Sequence, residues 1–169
     1  MAKKKRAPSG TAALIAVEQS GCDYRLHEYE HSEHMDDGYA IDSARVLGCE
    51  LGEVFKTLMV YVDATPTVAV VPANAMLNLK SLAKAAGGKR AEMMDPREAE
   101  RVTGYVTGGI SPLGQRKTCP TFIDSSAETL TRMLVSGGKR TLSIEIAPAD
   151  LLALTRATYA PIADYSRHF

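Results

Sequence analysis

The chain has 169 residues, of which 45% are hydrophobic, and its formal net charge is zero. A chain of this length forms one domain and buries roughly 70% of its surface on folding, enough for a core without disulfide or metal cross-links. The balance of 20 basic and 20 acidic residues argues against tight, purely electrostatic capture of nucleic acid.

The charge is nevertheless uneven, because four basic residues precede the first acidic one: Lys3, Lys4, Lys5 and Arg6. We predict a basic, flexible tail over residues 1–10 and one folded domain over residues 11–169. Such a tail is usually solvated, and the alternative is that it adds a weak, salt-sensitive affinity for RNA.

Cysteine usage and hydropathy predict where the protein works. The cysteines are odd in number and widely spaced, without a disulfide framework or metal-ligand spacing: Cys22, Cys49 and Cys119. This pattern is typical of a reducing cytoplasm. The apolar run over residues 12–17 ends at Glu18, which is too early for a membrane span or a signal peptide. We therefore expect a cytoplasmic protein with no membrane partner.

Helix and strand signals alternate along the first half of the chain. Capping and periodicity predict a helix over residues 11–19, a strand over 24–29, a polar loop over 30–38 and a short helix over 42–47. Two β-rich runs at residues 54–62 and 67–71 flank turn-forming residues 63–66 and predict a hairpin.

The second half continues the alternation. We predict a helix over residues 79–86, a strand over 89–94, a helix over 96–102, strands over 120–124, 132–135 and 141–146, and a helix over 149–155. Gly137-Gly138 is predicted to form the hairpin turn between the last two strands. Hairpins interleaved with helices predict a compact, single α/β domain with a curved, largely antiparallel sheet.

The segment over residues 103–114 holds four of the chain's 13 glycines. It has no helical or strand period, yet it differs from a polar linker because it contains four apolar residues: Tyr105, Val106, Ile110 and Leu113. The Gly108-Gly109 pair lets the backbone turn and lets bare N–H groups approach a ligand. The segment is therefore either a binding loop or a tight crossover between strands.

Lys56 lies inside the apolar run over residues 54–60. Strand alternation places Leu58 on its face and Phe55 on the other, so both faces are apolar and we expect the lysine to be partly enclosed. An enclosed ammonium needs a partner, which is either an internal carboxylate or a phosphate or carbonyl group of a ligand.

Other reactive side chains form no recognisable site. His27, His31 and His34 would share a metal-binding face on a helix, but the alternation around His27 predicts a strand, so we expect no metal site. Cys119 has no histidine near it in the sequence, which favours a buried structural cysteine over a nucleophile. Ser111 lacks the strand–turn–helix setting of a nucleophile elbow.

Four short motifs occur in order: KTL at residues 56–58, TGY at 103–105, GGISPLG at 108–114 and VSGGKR at 135–140. Together they resemble the YbaK-type cysteinyl-tRNA(Pro) deacylases, which are related to the editing domain of prolyl-tRNA synthetase. The resemblance spans residues 11–163 and implies a compact α/β fold with a mixed, barrel-like sheet flanked by helices. It implies hydrolysis, without a cofactor, of the ester joining a mischarged amino acid to tRNA(Pro).

The resemblance also predicts the site residues. Its motifs imply three catalytic residues: Lys56, Gly108 and Gly109. They imply that seven further residues bind the substrate: Tyr29, Ile110, Ser111, Pro112, Ser136, Gly137 and Gly138. Close relatives often carry Asp where this chain has Ser143, so no role of that carboxylate can be transferred.

A cysteinyl ester carries its own nucleophile, because its thiol can attack its own carbonyl and expel the ribose oxygen. The resemblance suggests this substrate-assisted route, with Lys56 either at the carbonyl or at a phosphate of the terminal nucleotide. The expected partners are mischarged tRNA(Pro) and, in a ternary complex, prolyl-tRNA synthetase.

Two alternatives stay open from the sequence. The first is removal of alanine or another small amino acid, which would need a water positioned by the protein. The second is a non-catalytic module that binds tRNA or a small ligand.

Overall fold

The computed structural model describes residues 10–31 and 38–166. Within these ranges the helices are α1 Ala12–Ser20, α2 Tyr39–Leu47, α3 Leu79–Ala85, α4 Pro96–Thr103 and α5 Pro148–Thr155. The strands there are β1 Tyr24–Glu28, β2 Phe55–Val62, β3 Thr65–Pro72, β4 Met76–Leu77, β5 Ala91–Met93, β6 Thr121–Asp124, β7 Met133–Lys139, β8 Leu142–Ile146, β9 Thr158–Ala160 and β10 Ala163–Asp164. Residues 1–9 of the predicted basic tail and most of the predicted loop over residues 30–38 lie outside the described residues.

The strands form three sheets in the order β1-β8-β7, β10-β4 and β5-β2-β3-β6-β9. Among the strand pairs of the described residues, only β3–β6 and β6–β9 are parallel, so the prediction of a mixed, largely antiparallel α/β fold is confirmed. The predicted barrel-like closure is wrong for the described residues, because no sheet closes on itself. The two larger sheets meet at an isolated bridge between Val54 and Leu134, and short strands form both edges of the five-stranded sheet.

Capping residues in the sequence predicted the ends of several helices well. Thr11 caps α1 by accepting a hydrogen bond from the Leu14 N–H at 3.2 Å. Asp95 and Pro96 begin α4, and its end at Gly104 has the left-handed φ of 83° that favours glycine. Such caps depend on neighbouring residues alone, which is why the sequence predicts them. Helix α2, in contrast, begins three residues before its predicted start, at Tyr39.

Both predicted hairpins exist, but their turns differ from the prediction. In the β2–β3 hairpin the turn has two residues, and the first of them, Asp63, adopts φ 56°. Pro66, which was predicted to lie in the turn, instead pairs with Tyr61 as part of the two strands. The predicted turn at Gly137-Gly138 is wrong, since β7 runs through both glycines with a register shift between Ser136 and Lys139. This bulge places Gly138 at φ 102° and delays the turn to residues 140–141.

Strand β2 is buried on both of its faces. Phe55 and Met59 belong to the main core, which also includes residues of α1, β7 and β8, whereas Val60 and Val62 pack in a second cluster with α3. This two-sided burial explains why the run is apolar at almost every position, and it fixes β2 between two layers. No helix within the described ranges is long and apolar enough to cross a membrane.

Candidate active site

A cavity of about 470 Å³ opens beside β2, β7, β8, α2 and the loop that follows α4. Its size is typical of a pocket for a small organic group. Residues from every predicted segment of the site contribute to its lining: Tyr29, Lys56, Gly108, Ile110 and Ser136. The fold therefore brings together segments that lie far apart in the chain.

Five other predicted site residues do not line this cavity: Gly109, Ser111, Pro112, Gly137 and Gly138. Gly109 donates its N–H to the Val106 carbonyl at 2.9 Å. Ser111 is fully buried, and its Oγ accepts a hydrogen bond from the Leu113 N–H. Pro112 lies beside a second depression, and Gly137 and Gly138 follow Ser136 on β7. Their predicted contacts with substrate stay predictions.

Gly137 and Gly138 of β7 pack against Thr11 at the start of α1. Thr11 donates its hydroxyl to the Gly137 carbonyl at 2.6 Å. Gly138 donates its N–H to Ser136 Oγ at 3.1 Å, which fixes the side chain that reaches the cavity. A Cβ at Gly138 would lie 2.9 Å from the Tyr105 ring. The Gly pair thus allows close packing that positions Ser136.

Lys56 lies on β2 opposite Val71 and is half-buried, as the apolar run predicted. Burial lowers the pKa of its ammonium, because desolvation disfavours the charged form. A cation in a partly dry site interacts more strongly with a phosphate or a developing oxyanion than it would in water. Its neighbour Thr57 also lines the cavity, and the buried Thr57 Oγ1 has no hydrogen-bond partner among the described residues.

Gly108 forms the cavity wall where the Gly-rich loop meets α2. Its φ is 89°, and a Cβ there would lie 2.6 Å from Cε2 of Tyr39. Arg140 lies over the same tyrosine ring at 5.2 Å and donates its Nε–H to the Thr107 carbonyl at 2.8 Å. Tyr39 and Arg140 therefore both contact the loop here, and a side chain at position 108 would clash with the tyrosine ring and strain the backbone.

A histidine–aspartate pair that the sequence did not reveal anchors α2. His31 Nδ1 lies 2.7 Å from Oδ2 of Asp42, a carboxylate that is almost fully buried. The other ring nitrogen contacts the Arg140 carbonyl. Both ring nitrogens thus lie against acceptor oxygens. Of the other histidines, His27 pairs with Glu145 at 2.8 Å, and His34 and His168 lie outside the described residues.

Three hydroxyls form a connected chain on one wall of the cavity. Tyr29 Oη lies 2.7 Å from Ser43 Oγ and 2.8 Å from Ser143 Oγ. All three side chains line the cavity. Ser43 comes from α2 and Ser143 from β8, so the predicted pocket tyrosine connects two elements. We call this group the Ser43–Tyr29–Ser143 chain.

The ionisable groups among the described lining residues are two lysines and two tyrosines: Lys56, Lys139, Tyr29 and Tyr39. No carboxylate, imidazole or thiol from residues 10–31 and 38–166 lines the cavity. The same ranges hold no group of three or more His, Cys, Asp or Glu side chains that could bind a metal ion. The described wall thus provides donors and cations for a ligand that carries negative charge.

A family model for the aminoacyl-tRNA editing domain matches residues 38–154. The chain belongs to this editing-domain family. It is 43% identical over 160 residues to an Enterococcus faecalis protein named as Cys-tRNA(Pro)/Cys-tRNA(Cys) deacylase EbsC, and the match covers 94% of this chain and 96% of that protein.

Solved structures share the fold of this editing domain. One, described as a trans-editing enzyme for prolyl-tRNA synthetase, has a TM-score of 0.81 at 24% identity and covers 95% of this chain and 99% of that chain. A hypothetical protein also gives a TM-score of 0.81, at 22% identity, covering 91% of this chain and 100% of that chain.

The cysteines of this editing domain should be dispensable for catalysis. None of them lines the cavity, and burial raises the pKa of Cys49 and Cys119, which disfavours a reactive thiolate. We expect a combined Cys22→Ser, Cys49→Ser, Cys119→Ala variant to keep the wild-type deacylation rate. A folded variant without turnover would show that a protein thiol takes part.

Gly109→Ala should destabilise the editing domain because the new Cβ would lie 2.9 Å from the carbonyl carbon of Lys139. A backbone atom cannot move away from the new Cβ as the end of a side chain can. The substitution should therefore lower the free energy of unfolding by about 1–3 kcal/mol and lower the melting temperature. Gly52→Ala is the matched control, since its nearest contact is the Asn74 amide at 3.8 Å. Equal melting temperatures for the two variants would contradict this packing.

Proposed function

We propose that this editing domain cleaves mischarged Cys-tRNA(Pro) in trans, with the thiol of the cysteinyl group as nucleophile. The observation that carries the proposal is the convergence of Lys56, Gly108 and Tyr29 on a cavity whose described lining provides hydrogen-bond donors and cations. The relative named as a Cys-tRNA(Pro)/Cys-tRNA(Cys) deacylase supports the same substrate.

Such an activity has a clear physical purpose. Proline and cysteine are similar in size, and one methylene or a small atomic exchange changes binding in a pocket by only about 1–3 kcal/mol. A synthetase that accepts proline therefore sometimes accepts cysteine. A second, hydrolytic site that recognises the chemistry of cysteine removes the error.

The chemical step needs little from the protein. The cysteinyl sulfur, after losing its proton to solvent, bonds to its own carbonyl carbon, and the bond from that carbon to the ribose oxygen breaks. The ribose oxygen takes up a proton, and water later opens the cyclic thioester to free cysteine. The protein holds the ester in a reactive geometry and stabilises the oxyanion.

The residues that meet at the cavity are suited to these tasks. Lys56 provides a partly desolvated cation for the carbonyl oxygen or for a phosphate of the terminal nucleotide. The Gly108 backbone lies on the wall without a side chain that would block the ester. Ile110 and Ser136 complete a wall that is mostly apolar with few polar groups.

Selection of the tRNA would come from a partner. A protein with zero net charge binds tRNA weakly on electrostatic grounds alone. Assembly with prolyl-tRNA synthetase on tRNA(Pro), in the cytoplasm, would supply that specificity. The structural neighbour described as a trans-editing enzyme for prolyl-tRNA synthetase is consistent with such an assembly.

A panel of mischarged tRNAs tests the function. The purified protein should release cysteine from Cys-tRNA(Pro) faster than alanine from Ala-tRNA(Pro), and should spare Pro-tRNA(Pro). Including Cys-tRNA(Cys) measures whether added prolyl-tRNA synthetase directs the activity to tRNA(Pro). Preferential release of alanine would favour the alternative substrate, and retained binding without any turnover would favour a non-catalytic module.

A further inference from the structure

The turn between β7 and β8 places two cations side by side at the edge of the cavity. Lys139 is the last residue of β7, lines the cavity and is exposed, and Arg140 follows it on the turn. Neither side chain forms an ion pair with a residue of the described ranges. Two adjacent positive charges without a carboxylate partner, at the edge of a cavity, favour an anionic ligand.

The Arg140 guanidinium is held in one position while part of it stays available. Its Nε–H donates to the Thr107 carbonyl at 2.8 Å, and its Cζ lies 5.2 Å from the centre of the Tyr39 ring. Thr107 and Tyr39 both line the cavity, so the guanidinium lies at its edge. The two Nη groups have no acceptor among the described residues. A fixed, planar fork with available N–H groups matches two oxygens of a phosphate.

The backbone of the turn is fixed as well. The Arg140 carbonyl contacts one ring nitrogen of His31, whose other nitrogen lies 2.7 Å from the Asp42 carboxylate on α2. The Gly-rich loop packs so closely on this turn that a Cβ at Gly109 would lie 2.9 Å from the Lys139 carbonyl carbon. The turn is thus anchored both to α2 and to the loop. A cation on such a support loses little conformational freedom when it binds an anion.

The carboxylates near the turn are engaged by other groups. Glu100 on α4 accepts the Thr107 N–H at 2.8 Å, and this hydrogen bond, with a smaller contribution from the Arg140 charge, lowers the pKa of the Glu100 carboxyl. Asp42 is paired with His31. Lys56 adds a further cation to the lining, to which the described residues contribute no carboxylate. The cavity and its edge therefore carry an excess of positive charge.

Resting on the proposed function, we propose that Arg140, together with Lys139, binds a backbone phosphate in the single-stranded 3′ end of the tRNA, where that end enters the cavity. The ester must lie inside the cavity, so the nucleotides that precede it cross the edge. Each of them brings a phosphate, which positions the strand without reading its sequence. A few fixed cations at this point let a chain of zero net charge hold RNA without a wide basic surface.

The experiment measures binding of a non-aminoacylated RNA hairpin that copies the acceptor stem of tRNA(Pro) and ends in single-stranded CCA. Fluorescence anisotropy gives the affinity over a series of KCl concentrations for the wild type, Arg140→Met and Lys139→Met. Methionine keeps much of the aliphatic stem and removes the charge. A second hairpin carries neutral methylphosphonate linkages in its CCA end. Arg25→Met is the matched control, since Arg25 is exposed on β1 and does not line the cavity.

For Arg140→Met we expect about tenfold weaker binding of the phosphodiester hairpin at low salt, the effect of losing one charge-assisted contact. The slope of the logarithm of affinity against the logarithm of salt concentration should become shallower by about 0.7, the value for one phosphate contact on a single strand. Lys139→Met should change affinity and slope in the same direction, and Arg25→Met should keep both. On the methylphosphonate hairpin, Arg140→Met and the wild type should bind alike.

An unchanged salt slope for Arg140→Met overturns the proposal, as does a wild type that does not bind the hairpin. An equal loss of affinity on both hairpins overturns it as well, because that result indicates a disturbed loop rather than a lost phosphate contact. If Arg140→Met does not fold, Lys139→Met decides, since the Lys139 side chain makes no hydrogen bond to a described residue. The hairpin carries no ester, so binding is independent of turnover. A protein that shows the predicted slopes but leaves Cys-tRNA(Pro) intact refutes the proposed function and not the phosphate contact.

Discussion

Lys56→Ala should slow the cleavage of Cys-tRNA(Pro) by about a hundredfold or more, the typical cost of removing a group that stabilises an oxyanion. Lys56 is a half-buried cation that lines the cavity, and alanine would leave that part of the wall without charge. The measurement is the single-turnover rate of the variant beside its thermal melt. The fold should survive, because the flanking core residues of β2 are unchanged.

Two controls sharpen this result. Lys84→Ala removes an exposed lysine of α3 that does not line the cavity, and it should leave the rate unchanged. Lys56→Met keeps the aliphatic stem, so it separates loss of charge from loss of packing. A folded Lys56→Ala variant with a near-normal rate would show that the lysine takes no part in the reaction.

The lowered pKa of Lys56 also predicts how pH acts on the protein. The lysine should lose its charge, and with it the activity, at a pH below the ordinary lysine value of about 10.4. Between the folded and unfolded pKa values the unfolded chain binds more protons, so the contribution of Lys56 to folding stability rises with pH across that interval. Below the pKa of Lys56 in the folded protein, the lysine is charged in both states. Folding then carries the full free-energy cost of burying that charge.

Cysteinyl-tRNA(Pro) should be cleaved more than about a hundredfold faster than seryl- or alanyl-tRNA(Pro), because intramolecular attack replaces a bimolecular step. Serine and alanine are small enough to enter a cysteine-sized pocket. A thiol with a pKa near 8.5 is partly ionised at neutral pH, whereas a serine hydroxyl is not.

The measurement is the single-turnover rate for each aminoacyl-tRNA at saturating protein. Binding of all three substrates is measured in parallel, so that a difference in affinity is not read as a difference in chemistry. Similar rates for the cysteinyl and seryl esters would mean that the pocket discriminates by size and that water is the nucleophile.

The sequence predicted those parts of the fold that depend on neighbouring residues. The caps at Thr11 and Asp95 act within one helical turn, and the hairpin of β2 and β3 needs only a short turn. The prediction that Lys56 is partly enclosed also succeeded, because both faces of its strand are apolar.

Features that depend on distant partners could not be predicted. The path of β7 through Gly137 and Gly138 is set by its pairing with β8 and by the packing of Thr11 against it. The short strands β9 and β10 exist only through their partners β6 and β4. No local signal connects these elements.

The same reason explains why the sequence did not reveal Ser43 and assigned no role to Ser143. Ser43 reaches the cavity because α2 is anchored by the pairing of His31 with Asp42, which lie 11 positions apart in the chain. Ser143 joins the site through Tyr29, 114 positions away. A serine on an amphipathic helix or in an alternating strand gives no sign of such a role.

Methylating the thiol of the substrate tests the central claim most directly. Bound S-methylcysteinyl-tRNA(Pro) should be cleaved at no more than the uncatalysed rate, although its size and its ester are nearly those of the natural substrate, because its sulfur can no longer attack. Rapid release of S-methylcysteine by the wild-type protein would contradict the account and show that a protein-activated water performs the cleavage.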